Sequence, residues 1–205
     1  MDRVLWRLAG VTPVASLLGL GACASTPSRF YILNTLPASE MVSAAAVGGP
    51  VIGLGPIAFP KYLDRPQIVT RAGRHQLQLG EFDRWAEPLQ ENFSRVLAEN
   101  LALLVPTEHS LLNPWPGSAP VEYQVTVEVL RFDGWLGGES ALIARWSLLD
   151  RAERELLSRK FHLNTPTGGR DYESMVVAMH QMIEALSRDI ATAIQSLAPR
   201  AAARE

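Results

Sequence analysis

The sequence predicts an α+β fold in which a mostly antiparallel sheet is packed on one face by two helices. Residues 121–129 alternate Val or Tyr with polar side chains, the period of a strand with one wet face. Segments 88–105 and 171–198 repeat apolar residues at spacings of three and four, which marks one apolar face on each helix. Since each helix has a single apolar stripe, both fit best against the same face of a sheet.

The N-terminal half of the body is predicted to be mainly strands. An aromatic and β-branched run forms the first strand, and an Ala-, Gly- and Ser-rich loop follows it. Two prolines, Pro60 and Pro66, bound a turn because proline breaks a strand ladder and restricts the residue before it. The predicted elements are strand 30–33, loop 36–50, strand 51–59, turn 60–66, and a hairpin of strands 67–70 and 75–79 around the tip 71–74.

The C-terminal half is predicted to place three strands between two helices. Pro88 suits the first turn of the first helix, and Pro106 stops it. Asp171 is a suitable N-cap for the second helix, and Pro199 is expected to end it. The predicted elements are helix 88–105, loop 113–118, strands 121–129, 141–149 and 155–164, a final helix from residue 171, and a loose tail at 199–205.

The only cysteine, Cys23, directly follows a basic start and a short apolar run at 8–20. These are the n-region and h-region of a secretory signal, and the apolar run is shorter than the ~20 residues of a transmembrane helix. The string Leu20-Gly21-Ala22-Cys23 resembles a bacterial lipobox. We therefore predict a signal peptide at 1–22, cleavage between Ala22 and Cys23, and lipid on Cys23.

An acylated Cys23 would fix the body to a membrane through a short tether at 23–29, with the domain proper at 30–198. One acyl chain binds a bilayer reversibly, whereas two or more anchor a protein stably. The residue after the cysteine is Ala24 rather than Asp, which favours the outer membrane and a periplasm-facing body. The alternative is an ordinary secreted protein with a buried free thiol.

Composition excludes several classes of function. A formal net charge of −2 provides no basic field for nucleic acid. A single cysteine allows no intramolecular disulfide and no cysteine-based zinc site. The four histidines lack metal-ligand spacing, and no nucleophile elbow or phosphate loop occurs. We predict neither a metal site, nor a cofactor, nor an enzyme. The histidines are His75, His109, His162 and His180.

Two weaker patterns are interpreted structurally. The segment 53–58 matches a loose G-x-G-x-x-A pattern, but such a motif must open a helix, and Pro56 and Pro60 forbid one. Asp83 and Glu87 are expected to be solvated surface carboxylates rather than an acid–base pair.

Two strings carry a resemblance to a known family. The first is residues 55–69, which contain Tyr-Leu-Asp-Arg-Pro-Gln, and the second is Trp-Ala-Glu-Pro-Leu at 85–89. Together with the lipobox and the strand at 30–33, they resemble the ABC-type transport auxiliary lipoproteins. The resemblance covers nearly all of the mature chain, and its second half rests on the pattern of strands and final helix.

The resemblance implies a non-catalytic part of a transport machine. Its partners would be an ABC permease, a separate ATPase subunit and a periplasmic protein of the mammalian-cell-entry type. Such systems move lipids or other hydrophobic molecules between the inner and outer membranes. The sequence leaves a homo-oligomer open. The alternative function is a stand-alone envelope lipoprotein that binds a hydrophobic ligand in a cavity.

Five residues are candidate partner or lipid contacts: Tyr62, Leu63, Trp85, Trp115 and Trp135. Tyr62 and Leu63 lie in the proline-bounded turn, where we favour the alternative that they cover the core. Trp85 is suited to an interface because its ring has an apolar body and a polar N–H, or it seals the helix against the sheet. Trp115 and Trp135 lie in loops, where exposed aromatic residues are better candidates for contact.

Overall fold

The computed structural model describes residues 26–40, 49–107, 110–117 and 119–202, with side chains through residue 197. Cys23 and the predicted signal peptide lie outside the described residues. The element order is β1 (Arg29–Tyr31), β2 (Ile52–Ala58), β3 (Gln67–Arg71), β4 (Leu77–Trp85), α1 (Leu89–Leu104), β5 (Ser110–Leu112), β6 (Tyr123–Gly134), β7 (Glu139–Asp150), β8 (Glu155–Pro166) and α2 (Tyr172–Ala202). Two 3₁₀ turns, Ala38–Glu40 and Lys61–Leu63, complete the order.

These strands form one open eight-stranded sheet, and the predicted α+β class is confirmed. Most paired residues lie in antiparallel ladders, chiefly the β6–β7–β8 meander, with β3–β4 as a hairpin. The rest of the sheet also contains parallel pairs, because β1 runs parallel to β4, and β2 runs parallel to both β5 and β6. A single parallel bridge, Thr70 to Gly134, joins β3 to β6. The sequence did not predict these parallel contacts.

Both helices pack on one face of the sheet, as predicted. The ring of Phe93 in α1 meets Phe132 of β6 edge-on at 5.5 Å. On the neighbouring strand β7, Trp146 donates a hydrogen bond from Nε1 to Asp189 of α2 at 3.0 Å. The β6–β7 register places Phe132 and Trp146 on the same sheet face. One continuous apolar core therefore lies between the sheet and the two helices.

Four predicted elements need correction, and one of them is strand β6, which runs on to Gly134, past the predicted end at residue 129. Strand β5 falls where no strand was expected, because a three-residue strand shows no sequence period and forms by pairing with β2. Strand β4 runs on to Trp85, well past the predicted end at residue 79. Helix α2 continues past Pro199 to Ala202 instead of ending there. The N-cap prediction is confirmed, since the Asp171 carboxylate accepts the Ser174 N–H at 2.8 Å.

Buried asparagines attach the N-terminal segment to the helices. The Asn92 side chain accepts the Leu33 N–H at 2.7 Å and donates to the Leu33 carbonyl at 3.1 Å. The Asn100 side chain accepts the Leu36 N–H at 2.8 Å and donates to Ser187 of α2 at 3.1 Å. After β1 the chain leaves the sheet, and these bonds pair the buried backbone groups of Leu33 and Leu36. The segment is therefore held in place without forming a strand.

Candidate functional site

The proline-bounded turn folds against the N-terminus of α1 and encloses a cleft. The Lys61–Leu63 turn is closed by the Leu63 N–H, which donates to the Pro60 carbonyl at 3.0 Å. The Trp85 N–H donates to the Pro66 carbonyl at 2.7 Å and joins the turn to the end of β4. Residues of the two sequence strings, which are separated in the chain by residues 70–84, therefore line one cleft.

The cleft has a volume of about 710 Å³, an apolar floor and a charged rim. Leu63, Trp85 and Leu89 on the floor are buried. The rim carries both signs of charge and is largely solvent-exposed. The charged rim residues are Lys61, Asp64, Arg65, Glu87 and Glu91. Such a site suits an apolar group of a partner or ligand with polar contacts around it.

The first turn of α1 opens onto this cleft. Its N-cap is Pro88, which makes no side-chain capping hydrogen bond. The first intrahelical bond runs from the Asn92 N–H to the Pro88 carbonyl at 3.0 Å, so the N–H groups of residues 89–91 precede the helical ladder. The Gln90 side chain instead donates to the Ile57 carbonyl of β2 at 2.7 Å, which fixes the helix end against the sheet.

A second polar cluster lies beside the turn, centred on Asp133 of β6. This side chain has no solvent exposure, and Arg71 reaches it through Nε at 2.7 Å and a terminal nitrogen at 3.0 Å. Arg131 donates from Nε at 2.8 Å, and the Tyr62 hydroxyl donates at 2.7 Å. Burial opposes ionisation of Asp133, but these hydrogen bonds outweigh it and hold the pKa of the carboxyl below its ordinary value.

The structure separates the five candidate contacts into four places. Leu63 and Trp85 lie on the cleft floor, and Tyr62 is half-buried with its hydroxyl on Asp133. Trp135 is exposed, and the Arg131 guanidinium lies 5.1 Å from its ring centroid. Trp115 is half-buried with its ring against Gly53 of β2, where an added Cβ would come within 2.9 Å of the ring. Whether any of the five contacts a partner or lipid stays a prediction.

The prediction for Asp83 was wrong. Asp83 is buried, and it accepts hydrogen bonds from Arg29 at 2.9 Å and from the Tyr31 hydroxyl at 2.7 Å. Burial, with the bond to Asp83, raises the pKa of Tyr31 to about 12. The role of Asp83 is to attach β1 to β4. Sequence reasoning also missed Asp133, because its partners come from three separate segments.

The described residues contain no group of three or more metal-ligating side chains. Neither helix in the described part of the chain combines the length and apolar character needed to cross a membrane. An α+β body with an apolar, charge-rimmed cleft is typical of a binding module.

The comparisons with known proteins identify the class. The model of the ABC-type transport auxiliary lipoprotein component family matches residues 31–191, and the chain belongs to this family. The match includes the residues that line the cleft. No curated protein sequence matches the chain.

Two solved structures agree with this chain on the fold. One crystal structure of an uncharacterized protein has 21% identity and a TM-score of 0.68, covering 82% of this chain and 99% of its own. Protein XCC0632 from Xanthomonas campestris, of the family DUF330, has 15% identity and a TM-score of 0.63, covering 79% and 92%. A PelC dodecamer from Paraburkholderia phytofirmans has 11% identity and a TM-score of 0.42, covering 75% and 93%.

Proposed function

We propose that this chain is an acylated envelope lipoprotein and a non-catalytic accessory subunit of a mammalian-cell-entry-type ABC system that moves lipids between the inner and outer membranes. The observation that carries the proposal is the cleft, because residues of the two family strings line it and its floor is apolar. A subunit that holds a partner in place needs such a surface and no reacting groups. Lipid on Cys23 would keep the body at the bilayer, with the outer membrane favoured.

The anchor is tested by Cys23→Ala. The acyl chains are expected to hold the native protein in membrane pellets after a salt wash, because two or more chains give stable anchoring. The variant is expected to fold and to leave the membrane fraction. Mass spectrometry of the native N-terminus should find a processed, lipid-modified Cys23; an unprocessed leader or a bare thiol would exclude the anchor.

The cleft is tested by Ala86→Arg. Ala86 lines the cleft and is exposed, so a long side chain fills the space without removing a buried group. Capture of the mammalian-cell-entry-type protein by the purified lipoprotein is expected to weaken by about tenfold or more, because the centre of an interface carries most of the binding free energy. The matched control is Ala152→Arg, an exposed alanine in the turn between β7 and β8.

The second candidate is a stand-alone lipoprotein that carries a hydrophobic ligand. A cleft of about 710 Å³ falls within the usual size of small-molecule sites, and this observation favours the alternative. Native mass spectrometry of the protein purified from membranes would then find bound lipid, and Ala86→Arg would lower its occupancy. Capture of the transport partner with an empty cleft would instead favour the accessory subunit.

A further inference from the structure

One end of the sheet presents apolar side chains on the face opposite the helices. Phe132 of β6 packs in the core against α1. Successive side chains of a strand point to opposite faces of the sheet, so Asp133 lies on the outer face. Arg71 reaches Asp133 and therefore shares that face. In the β3–β4 register, Arg71 pairs with Leu77 and Val69 pairs with Leu79, so both leucines lie on the outer face as well.

The same face extends to both neighbouring strands. Gln67 of β3 pairs with Arg84 of β4, and Arg84 pairs with Phe30 of β1, which puts Phe30 at the edge of this surface. Arg131 bonds to Asp133 and therefore shares the outer face, and its guanidinium lies 5.1 Å from the ring centroid of Trp135, which places Trp135 on that face too. We name Phe30, Leu77, Leu79 and Trp135 the outer patch. Their exposed fractions are 65%, 39%, 41% and 37%.

Arginines surround the outer patch. Arg84 lies between Phe30 and β3, and Arg74 is exposed at the hairpin tip beside Leu77. Arg71 and Arg131 carry two positive charges against the single buried carboxylate of Asp133. With the exposed Glu81 of β4 and Glu139 of β7 counted, four arginines face three carboxylates, so the face is still net positive. Apolar side chains among cations are typical of surfaces that lie at the headgroup level of an anionic bilayer.

The tether limits which face of the body can reach the membrane. Cys23 and Arg29 are six residues apart, so the linking chain spans about 20 Å at most. A domain of this length has a diameter of about 40 Å. Strand β1 is an edge strand at the patch end of the sheet, whereas β8 forms the opposite edge. A lipid on Cys23 would therefore enter the bilayer close to the outer patch.

We propose that the outer patch is a membrane-binding surface that lies against an anionic bilayer and orients the body, leaving the helices turned away from the lipid. This inference rests on the proposed acylation of Cys23. Phe30 and Trp135 would enter the interfacial layer, where aromatic rings are favoured, and the arginines would meet lipid phosphates.

The test uses the full acylated protein in vesicles of phosphatidylethanolamine and phosphatidylglycerol. The variants Phe30→Cys and Leu79→Cys carry an environment-sensitive fluorophore on the new thiol, and brominated lipid serves as the quencher. The matched controls are Leu156→Cys and Val177→Cys, at positions on β8 and α2 that are 43% and 47% exposed. We expect blue-shifted emission and several-fold stronger quenching at 30 and 79 than at 156 and 177.

Two results would overturn the proposal. Equal quenching at all four positions would show that no face is preferred. Protection of positions 30 and 79 from aqueous iodide without quenching by brominated lipid would show that a polypeptide, such as a second copy of the chain, covers the patch. Vesicle flotation keeps this test separate from the anchor: a native protein that does not float refutes acylation, whereas one that floats with equal labels refutes only the orientation.

Discussion

At the β6–β7–β8 end of the sheet, neighbours in space are neighbours in the chain, whereas at the β1–β4–β3 end the β3–β4 hairpin joins β1 and β6, which are far from it in sequence. The meander alternates buried and wet positions along β6, and it needs only short turns between its long ladders. The other end uses the buried carboxylates of Asp83 and Asp133 instead, and the segment that follows β1 is held by Asn92 and Asn100 of α1.

This difference shows that two kinds of interaction determine how the strands of one sheet pair. Apolar periodicity is non-directional and fixes which face of the meander is buried. Directional hydrogen bonds from buried carboxylates and amides fix how segments meet when no local turn does so. The cleft and the outer patch both belong to the second end, so the candidate functional surfaces depend on these polar contacts.

The largest expected effect is that of Asp133→Asn. The change leaves Arg71 and Arg131 without their carboxylate, and we expect the free energy of unfolding to fall by about 3 kcal/mol, the lower end for a broken buried pair because both arginines are about one-fifth exposed. Urea unfolding measures this. An unchanged midpoint would contradict a structural role for the cluster.

The next effect is that of Asn100→Ala, which leaves the Leu36 N–H and one Ser187 contact without a partner. Each unsatisfied buried group costs about 1–3 kcal/mol, so we expect a loss of about 2 kcal/mol and faster amide exchange at Leu36. Asn164→Ala, at an exposed position of β8, is the matched control and should change neither quantity.

Acid should weaken the β3–β6 junction selectively. The folded protein holds the pKa of Asp133 below its ordinary value, so the stabilisation is present above the unfolded pKa of about 3.9 and is lost as pH falls through the lower folded pKa. The free energies of unfolding of the native protein and Asp133→Asn should therefore differ at pH 7, begin to converge below about pH 4 and meet below the folded pKa of Asp133. A constant difference across this range would refute the assignment.

The smallest effect is expected for Glu128→Gln, on the same strand as Asp133. It forms an ion pair with Arg145 at 3.3 Å, and both side chains are more than half exposed. Exposed ion pairs contribute about 0–1 kcal/mol, so the free energy of unfolding should change by less than the error of most measurements. A loss comparable to that of Asp133→Asn would remove the distinction between the two ends.

Much of the fold could be predicted from local patterns. The period of residues 121–129, the stripes of both helices and the Asp171 N-cap all depend on nearby residues, and the structure confirms them. Strand β5 could not be predicted, because three residues carry no period. The burial of Asp83 could not be predicted either, since Arg29 and Tyr31 are more than 50 positions away in sequence.

The sequence by itself determined the α+β class, the face that each helix buries and the two strings that carry the family resemblance. These features depend only on the order and spacing of residues that are close together in the chain. Only the tertiary structure decided that residues of the two strings line one cleft, that Asp133 joins three segments, and that Phe30, Leu77, Leu79 and Trp135 share a face. The physical reason is that strand pairing and buried hydrogen bonds join residues across long sequence separations, and their partners have no local signature.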